Sequence, residues 1–150
     1  MKKTHYLAGL ILLSATLPAL ADECTLTIDS NDAMQFDQQE LSVPASCQEV
    51  TLTLHHSGNL AKNIMGHNWV LSKTADMQDI ATAGIAAGAD NGYLPAEDER
   101  ILAHTDMIGG GESSTISFST ANLSSAEDYS FFCSFPGHIG LMKGSFKITE

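Results

Sequence analysis

Apolar and polar residues alternate along most of this chain. Cys24, Leu26 and Ile28 stand between Thr25, Thr27 and Asp29, and Val50, Leu52 and Leu54 between Thr51, Thr53 and His55. A period of two is that of a strand with one face on a core and the other in water. Continued by one residue, the second run turns His56 inward and His55 outward. Similar short segments recur at 34–36, 41–43, 68–72, 100–104, 115–119, 129–133 and 143–149, and clusters such as Ser57-Gly58-Asn59 and Gly109-Gly110-Gly111 punctuate them. Many short strands with turn signals between them predict an all-β Greek-key β-sandwich or barrel, not a parallel α/β sheet. One segment breaks the alternation. Near residues 75–89, Met77, Ile80, Ala81, Gly84 and Ile85 follow three- and four-residue spacing, which predicts a helix packing one face on the sandwich. Gly84 and Gly88 shorten that expectation, since each costs about 1 kcal/mol relative to alanine inside a helix.

The N-terminus is patterned differently. A basic start at Lys2 and Lys3, an apolar stretch over 6–17 and the small-x-small run Ala19-Leu20-Ala21 read as a secretory signal peptide over 1–21, with one domain over 22–150. The apolar stretch is shorter than the ~20 residues of a membrane-spanning helix, and no later run is longer, so no membrane span is expected in the mature chain. Seven Lys and Arg against 18 Asp and Glu give a net charge of −11. Phosphate binding needs clustered cations, so a nucleic-acid partner is excluded. Solubility accounts for such acidity first; steering of a basic redox partner is the functional alternative.

The candidate chemistry lies in the run from Cys133 through Ser134, Phe135, Pro136, Gly137, His138, Ile139, Gly140 and Leu141 to Met142, together with Gly66-His67 upstream. One thiolate, two imidazoles and a thioether form a soft, asymmetric donor set suited to copper in two oxidation states. Hard cations prefer oxygen ligands, which the loop does not offer. Zinc remains open on donor type alone. Phe135-Pro136-Gly137 favours a tight turn that brings both ends of the loop around one ion. Three cysteines remain in an exported chain, so one is left over after any single pairing and invites a functional explanation.

Met65-Gly66-His67-Asn68-Trp69, Tyr129-Ser130-Phe131-Phe132-Cys133, Ser134-Phe135-Pro136-Gly137-His138 and Leu141-Met142-Lys143-Gly144 together resemble the azurin family of blue-copper cupredoxins. The resemblance runs from about Glu23 to the C-terminus and includes His55-His56-Ser57-Gly58-Asn59 and Ala103-His104-Thr105. It implies a plastocyanin-like, cupredoxin domain holding one type 1 copper ion. His67, Cys133 and His138 would be its strong ligands, Met142 its long axial ligand and the Gly66 carbonyl a weak axial one. It implies a Cys24–Cys47 disulfide. Asn68 and Ser134 would tie the two ligand segments together, Ser134 standing where the family commonly has threonine, and the Phe135 amide would donate to the thiolate. Met34, Leu60, Met65, Phe135, Pro136 and Gly140 would form an apolar partner patch around the His138 edge. His56 matches a histidine whose protonation can follow the redox state, but Ser57 replaces the proline that usually comes next. A surface position is expected for His104, and a core position for Trp69 and Phe36.

The expected function is therefore periplasmic transfer of single electrons by a monomer, between cytochrome c-type donors and reductase acceptors, without substrate turnover. Periplasmic copper storage or delivery is the alternative, but its methionine-rich clusters are missing: the six methionines are dispersed. A nitrite-reductase-like copper enzyme needs a second metal and more histidines than this chain length carries. Cysteine-protease chemistry lacks a group to orient the histidine.

Overall fold

The computed structural model describes residues 23–150; the signal-peptide reading of 1–21 lies outside the described residues. Among the described residues nine strands form where alternation predicted them: β1 (Thr25–Asn31), β2 (Gln35–Phe36), β3 (Glu40–Pro44), β4 (Glu49–His56), β5 (Val70–Lys73), β6 (Ile101–His104), β7 (Ser113–Ser119), β8 (Tyr129–Phe132) and β9 (Lys143–Thr149). They make two sheets, ordered β2-β1-β4-β7 and β3-β9-β8-β5-β6. The pairs β1/β4 and β3/β9 are parallel and the others antiparallel, as strands crossing between the layers of a Greek-key sandwich require.

Alternation drives this arrangement because each inward residue leaves water. Ile28, Val50, Leu52 and Leu54 from one sheet meet Leu41, Val43, Leu71, Phe131 and Phe146 from the other, all buried. Trp69 fills the centre, with ring centroids 5.8 Å from Phe118, 6.0 Å from Phe131 and 6.2 Å from Phe146. Cys24 and Cys47 form the disulfide at the far end of this core, 23 residues apart in sequence. Closing a loop of that size contributes about 3 kcal/mol in the chain-entropy account.

Two helices interrupt the strands: α1 (Lys62–Met65), a single turn, and α2 (Met77–Ala87), followed by a 3-10 turn at Ala89–Asn91. Helix α2 covers a second apolar cluster in which Ile80 and Ala81 pack with Val70, Leu94 and Phe132. The expected inward face needs one correction, since Ile85 is 60% exposed. Gly84 lies against the backbone of Tyr93, which brings the helix close on that side and rolls its neighbour Ile85 out to the groove beside Pro136 and Ile139. Among the described residues no helix is long and apolar enough to cross a membrane.

Phe131 is fully buried and touches both Phe36 and Trp69. Phe131→Ala is expected to cost about 4 kcal/mol of stability, measured by urea unfolding of the metal-free chain; a cost near zero would show that the two sheets repack without it.

Candidate metal centre

Sheet register delivers the donors to one place. Antiparallel pairing sets Val70 of β5 opposite Phe132 of β8. His67, three residues before Val70, and Cys133, one residue after Phe132, therefore emerge at the same end of the sandwich. The loop from Cys133 then folds back on itself. The His138 amide donates to the Phe135 carbonyl, the Met142 amide to the His138 carbonyl, and the Cys133 amide to the Met142 carbonyl. Gly137 allows this reversal with φ of 85°, a left-handed conformation that favours glycine.

The donor atoms of His67, Cys133 and His138 all lie within 4.8 Å of one another, and all three residues are buried. Cys133 Sγ is 3.9 Å from His67 Nδ1 and 3.7 Å from His138 Nδ1. The Gly66 carbonyl oxygen lies 3.9 Å from the same sulfur. Residue 66 has no room for a side chain, since a Cβ there would meet the Lys62 carbonyl at 2.4 Å and the Met107 sulfur at 3.0 Å. Met142 is fully buried in the same core cluster as Cys133.

The surrounding groups orient these donors. His67 Nε2 lies 2.9 Å from the Asn31 carbonyl, so that nitrogen carries the proton and Nδ1 turns a lone pair towards Cys133. Asn68 Oδ1 accepts the Ser134 amide at 2.9 Å, and Asn68 Nδ2 donates to Ser134 Oγ at 2.8 Å. Serine at 134 thus hydrogen-bonds with Asn68 through both its amide and its hydroxyl. His56 points inward, stacks on His67 with centroids 4.4 Å apart, gives Nε2–H to the Met65 carbonyl at 2.9 Å and accepts the Gly58 amide on Nδ1 at 3.0 Å.

Several contributors carry no sequence signal. The Asn31 and Gly92 carbonyls act through the backbone, which every residue shares. Asp32 also joins the site's margin: it accepts the Asn59 and Leu60 amides, and its Oδ1 lies 3.8 Å from His56 Nε2. Only its acidic side chain, next to Asn31 in a turn-rich stretch, hinted at an amide-binding role. The predicted patch residues differ in exposure: Leu60, Pro136 and Gly140 are exposed, and Met34, Met65 and Phe135 half-buried. Ile64 and Leu141, 59% and 63% exposed, are the large apolar residues the sequence reading missed. His138 itself is only 3% exposed, its ring covered by Phe135 at 4.5 Å between centroids.

Burial sets the protonation states. It pushes the Cys133 thiol up to about 11 against the lowering effect of the Asn68 and Phe135 amides, and it takes His67 down to about 4 and His138 in the same direction. Two neutral imidazoles and one neutral thiol are therefore stored without a buried charge. This donor set fits copper: two nitrogens with free lone pairs and a sulfur that releases its proton when the metal arrives.

Comparison with known proteins agrees with the site. The family model "Copper binding proteins, plastocyanin/azurin family" matches residues 22–149. An azurin of Bordetella pertussis is 52% identical over 145 residues, covering 96% of this chain and 97% of that protein. An azurin of Pseudomonas aeruginosa is 49% identical, covering 97% of each. A solved azurin structure from Methylomonas sp. strain J superposes with a TM-score of 0.82 at 46% identity, covering 85% of this chain and 98% of that one.

Two consequences can be measured. Metal uptake near neutral pH should release one proton per ion, the Cys133 proton, in titrations across buffers of different ionisation enthalpy; no release would mean the thiol is not a ligand. Between about 6.5 and about 4 the unfolded chain binds a proton at His67 that the folded chain refuses. Stability of the metal-free protein is therefore expected to fall as pH drops through that window, the His67 contribution being complete below it. A urea midpoint that stays flat there would contradict the stored neutral imidazole.

Proposed function

The chain belongs to the plastocyanin/azurin family of copper-binding proteins, and from that membership we propose that it is a blue copper electron carrier of the periplasm. The mature domain would span residues 22–150 after loss of a signal peptide at 1–21. It would shuttle single electrons between redox proteins and turn over no substrate. The observation that carries this reading is the buried His67–Cys133–His138 cluster.

Bound copper supplies a one-electron couple that the side chains alone lack. His67, Cys133 and His138 would be its strong ligands, with Met142 and the Gly66 carbonyl as weaker ones. The chain's contribution is to keep these donors still. His67 is fixed by the Asn31 carbonyl, Cys133 by the hydrogen bond its amide donates to the Met142 carbonyl, and both segments by Asn68 and Ser134. The Asn68 and Phe135 amides, which favour the thiolate over the thiol, would also withdraw charge from the sulfur. Little rearrangement then accompanies each change of oxidation state.

Met34, Leu60, Met65, Phe135, Pro136 and Gly140 would receive the partner, extended by Ile64 and Leu141. An apolar face permits transient contact without tight binding. Acidity elsewhere suits approach by basic cytochrome c-type proteins or reductases. Storage or delivery would require the ion to leave easily, which deep burial of all three donors opposes.

Loading the mature chain with copper is expected to give an intense blue absorption that bleaches on reduction; a colourless complex would favour zinc or storage. Met142→Leu should keep the colour and raise the potential, because a weak donor to the metal is lost. Voltammetry showing no change would remove Met142 from the ligand set. Met65→Lys should slow self-exchange and partner reactions while leaving the spectrum alone; unchanged rates would defeat the patch.

A further inference from the structure

The Asn68–Ser134 link has a third member that comes from outside both ligand segments. Ser134 Oγ donates to the Gly92 carbonyl at 2.7 Å, and Asn68 Nδ2 approaches the same oxygen at 3.4 Å. Distance makes the Gly92 carbonyl the nearer acceptor for Ser134. The hydroxyl has one hydrogen and accepts from Asn68 Nδ2; the other acceptor in reach, Asn68 Oδ1, lies farther off at 3.1 Å and also receives the Ser134 amide. Asn68 and Ser134 are both buried, so Gly92 is the acceptor that satisfies the hydroxyl.

Gly92 is held there from behind. Gly88, Gly92 and Tyr93 have φ of 76°, 59° and 54°, a left-handed path that only glycine takes freely. The Tyr93 amide closes it by donating to the Gly88 carbonyl at 3.0 Å. On one side the Tyr93 ring meets Phe135 edge-on at 5.3 Å, and on the other Leu94 is buried with Ile80, Val70 and Phe132. Helix α2 sets the height of the whole turn at Gly84. A Cβ at that position would lie 2.0 Å from the Tyr93 carbonyl oxygen and 2.9 Å from its carbon, closer than any real contact.

We infer that Gly92 is a positioning residue for the metal centre, and that α2 with its following turn is the brace that presses the Gly92 carbonyl onto Ser134. The inserted helix thereby sets the spacing between the His67 and Cys133 segments as well as covering apolar surface. The inference rests on the copper reading only for its spectroscopic consequences; the brace itself is a property of the metal-free chain.

The test uses Ser134→Ala, Ser134→Thr, Gly84→Ala, the double variant Gly84→Ala/Ser134→Ala, and Ala86→Gln as a control on the exposed face of α2. In the copper-loaded chain Ser134→Ala is expected to lose about tenfold in copper affinity and to shift the visible band, and Ser134→Thr to restore both. Gly84→Ala should reproduce the loss through the displaced Tyr93 backbone, the double variant should be no worse than either single one, and Ala86→Gln should match the wild type. In the metal-free chain the Asn68 side-chain amide protons should exchange about tenfold faster in both single variants. The Gly92 carbonyl carbon shift should move on Ser134→Ala. Additive losses in the double variant, or Gly84→Ala with wild-type exchange and spectrum, would overturn the inference. So would an unmoved Gly92 carbonyl shift in Ser134→Ala, which decides the matter even where Gly84→Ala does not fold. A wild-type chain that takes up copper without a blue band would defeat the electron-carrier reading alone, since the exchange and carbonyl readouts need no metal.

Discussion

Everything at the metal end depends on one register: Val70 opposite Phe132 across the β5–β8 pair. Antiparallel pairing continued past the strand ends sets Asn68 beside Ser134 and Trp69 beside Cys133. The polar pair becomes the hydrogen-bonded link, and the other puts the thiol against the largest core residue. A slip of one residue would exchange the faces, sending Cys133 outward and Phe132 into its place. Such a slip is blocked by the core. Phe131 faces Trp69, Phe36 and the opposite sheet, while Phe132 faces the α2 cluster, and neither environment accommodates a polar neighbour. Hydrophobic sorting between two layers is thus what sets the donor spacing.

The same sorting explains the protonation pattern. A buried imidazolium or thiolate would have to be stabilised by partners, and the fold supplies few of them. Asn31 offers His67 a carbonyl, which fixes the tautomer, and the amides of Asn68 and Phe135 lower the thiol only part of the way back from the effect of burial. The centre is consequently neutral until an ion brings its own positive charge. At that point the amides already aimed at the sulfur find the charge they suit. Acid sensitivity in the metal-free chain and proton release on loading are two faces of this one arrangement.

The strands were legible because alternation reports burial directly, as Val50, Leu52, Leu54 and His56 all show. The ligand set was legible because thiolate, imidazole and thioether are rare together and their loop is contiguous. What escaped has a common physical character. Asn31 and Gly92 act through carbonyl oxygens, so their identity leaves no trace at the position where they work. Ile85 shares helical spacing with Ile80 and Ala81, yet a close backbone approach at Gly84 rotates it out of the core. Ile64 and Leu141 look like core residues in one dimension, but each sits on a single turn or loop crest with nothing above it. Pairing between distant segments, not local pattern, decides all of these.

Rigidity and access pull in opposite directions at such a centre, and the ligand loop divides the two tasks. His67 is enclosed by the Asn31 carbonyl, the His56 ring and the Gly66 approach, so its segment answers for position. His138 lies on a 3-10 turn, 3% exposed, with the Phe135 ring packed on it. That thin cover keeps water off the donors, which preserves their low-dielectric surroundings. It would also leave the proposed partner face close to His138. A thicker cover would lengthen the electron's path, and a thinner one would hydrate the imidazole. Phe135 is therefore best placed to set the balance, since its amide faces the sulfur while its ring faces both His138 and Tyr93. Changes to that ring should alter partner rates before they alter the fold.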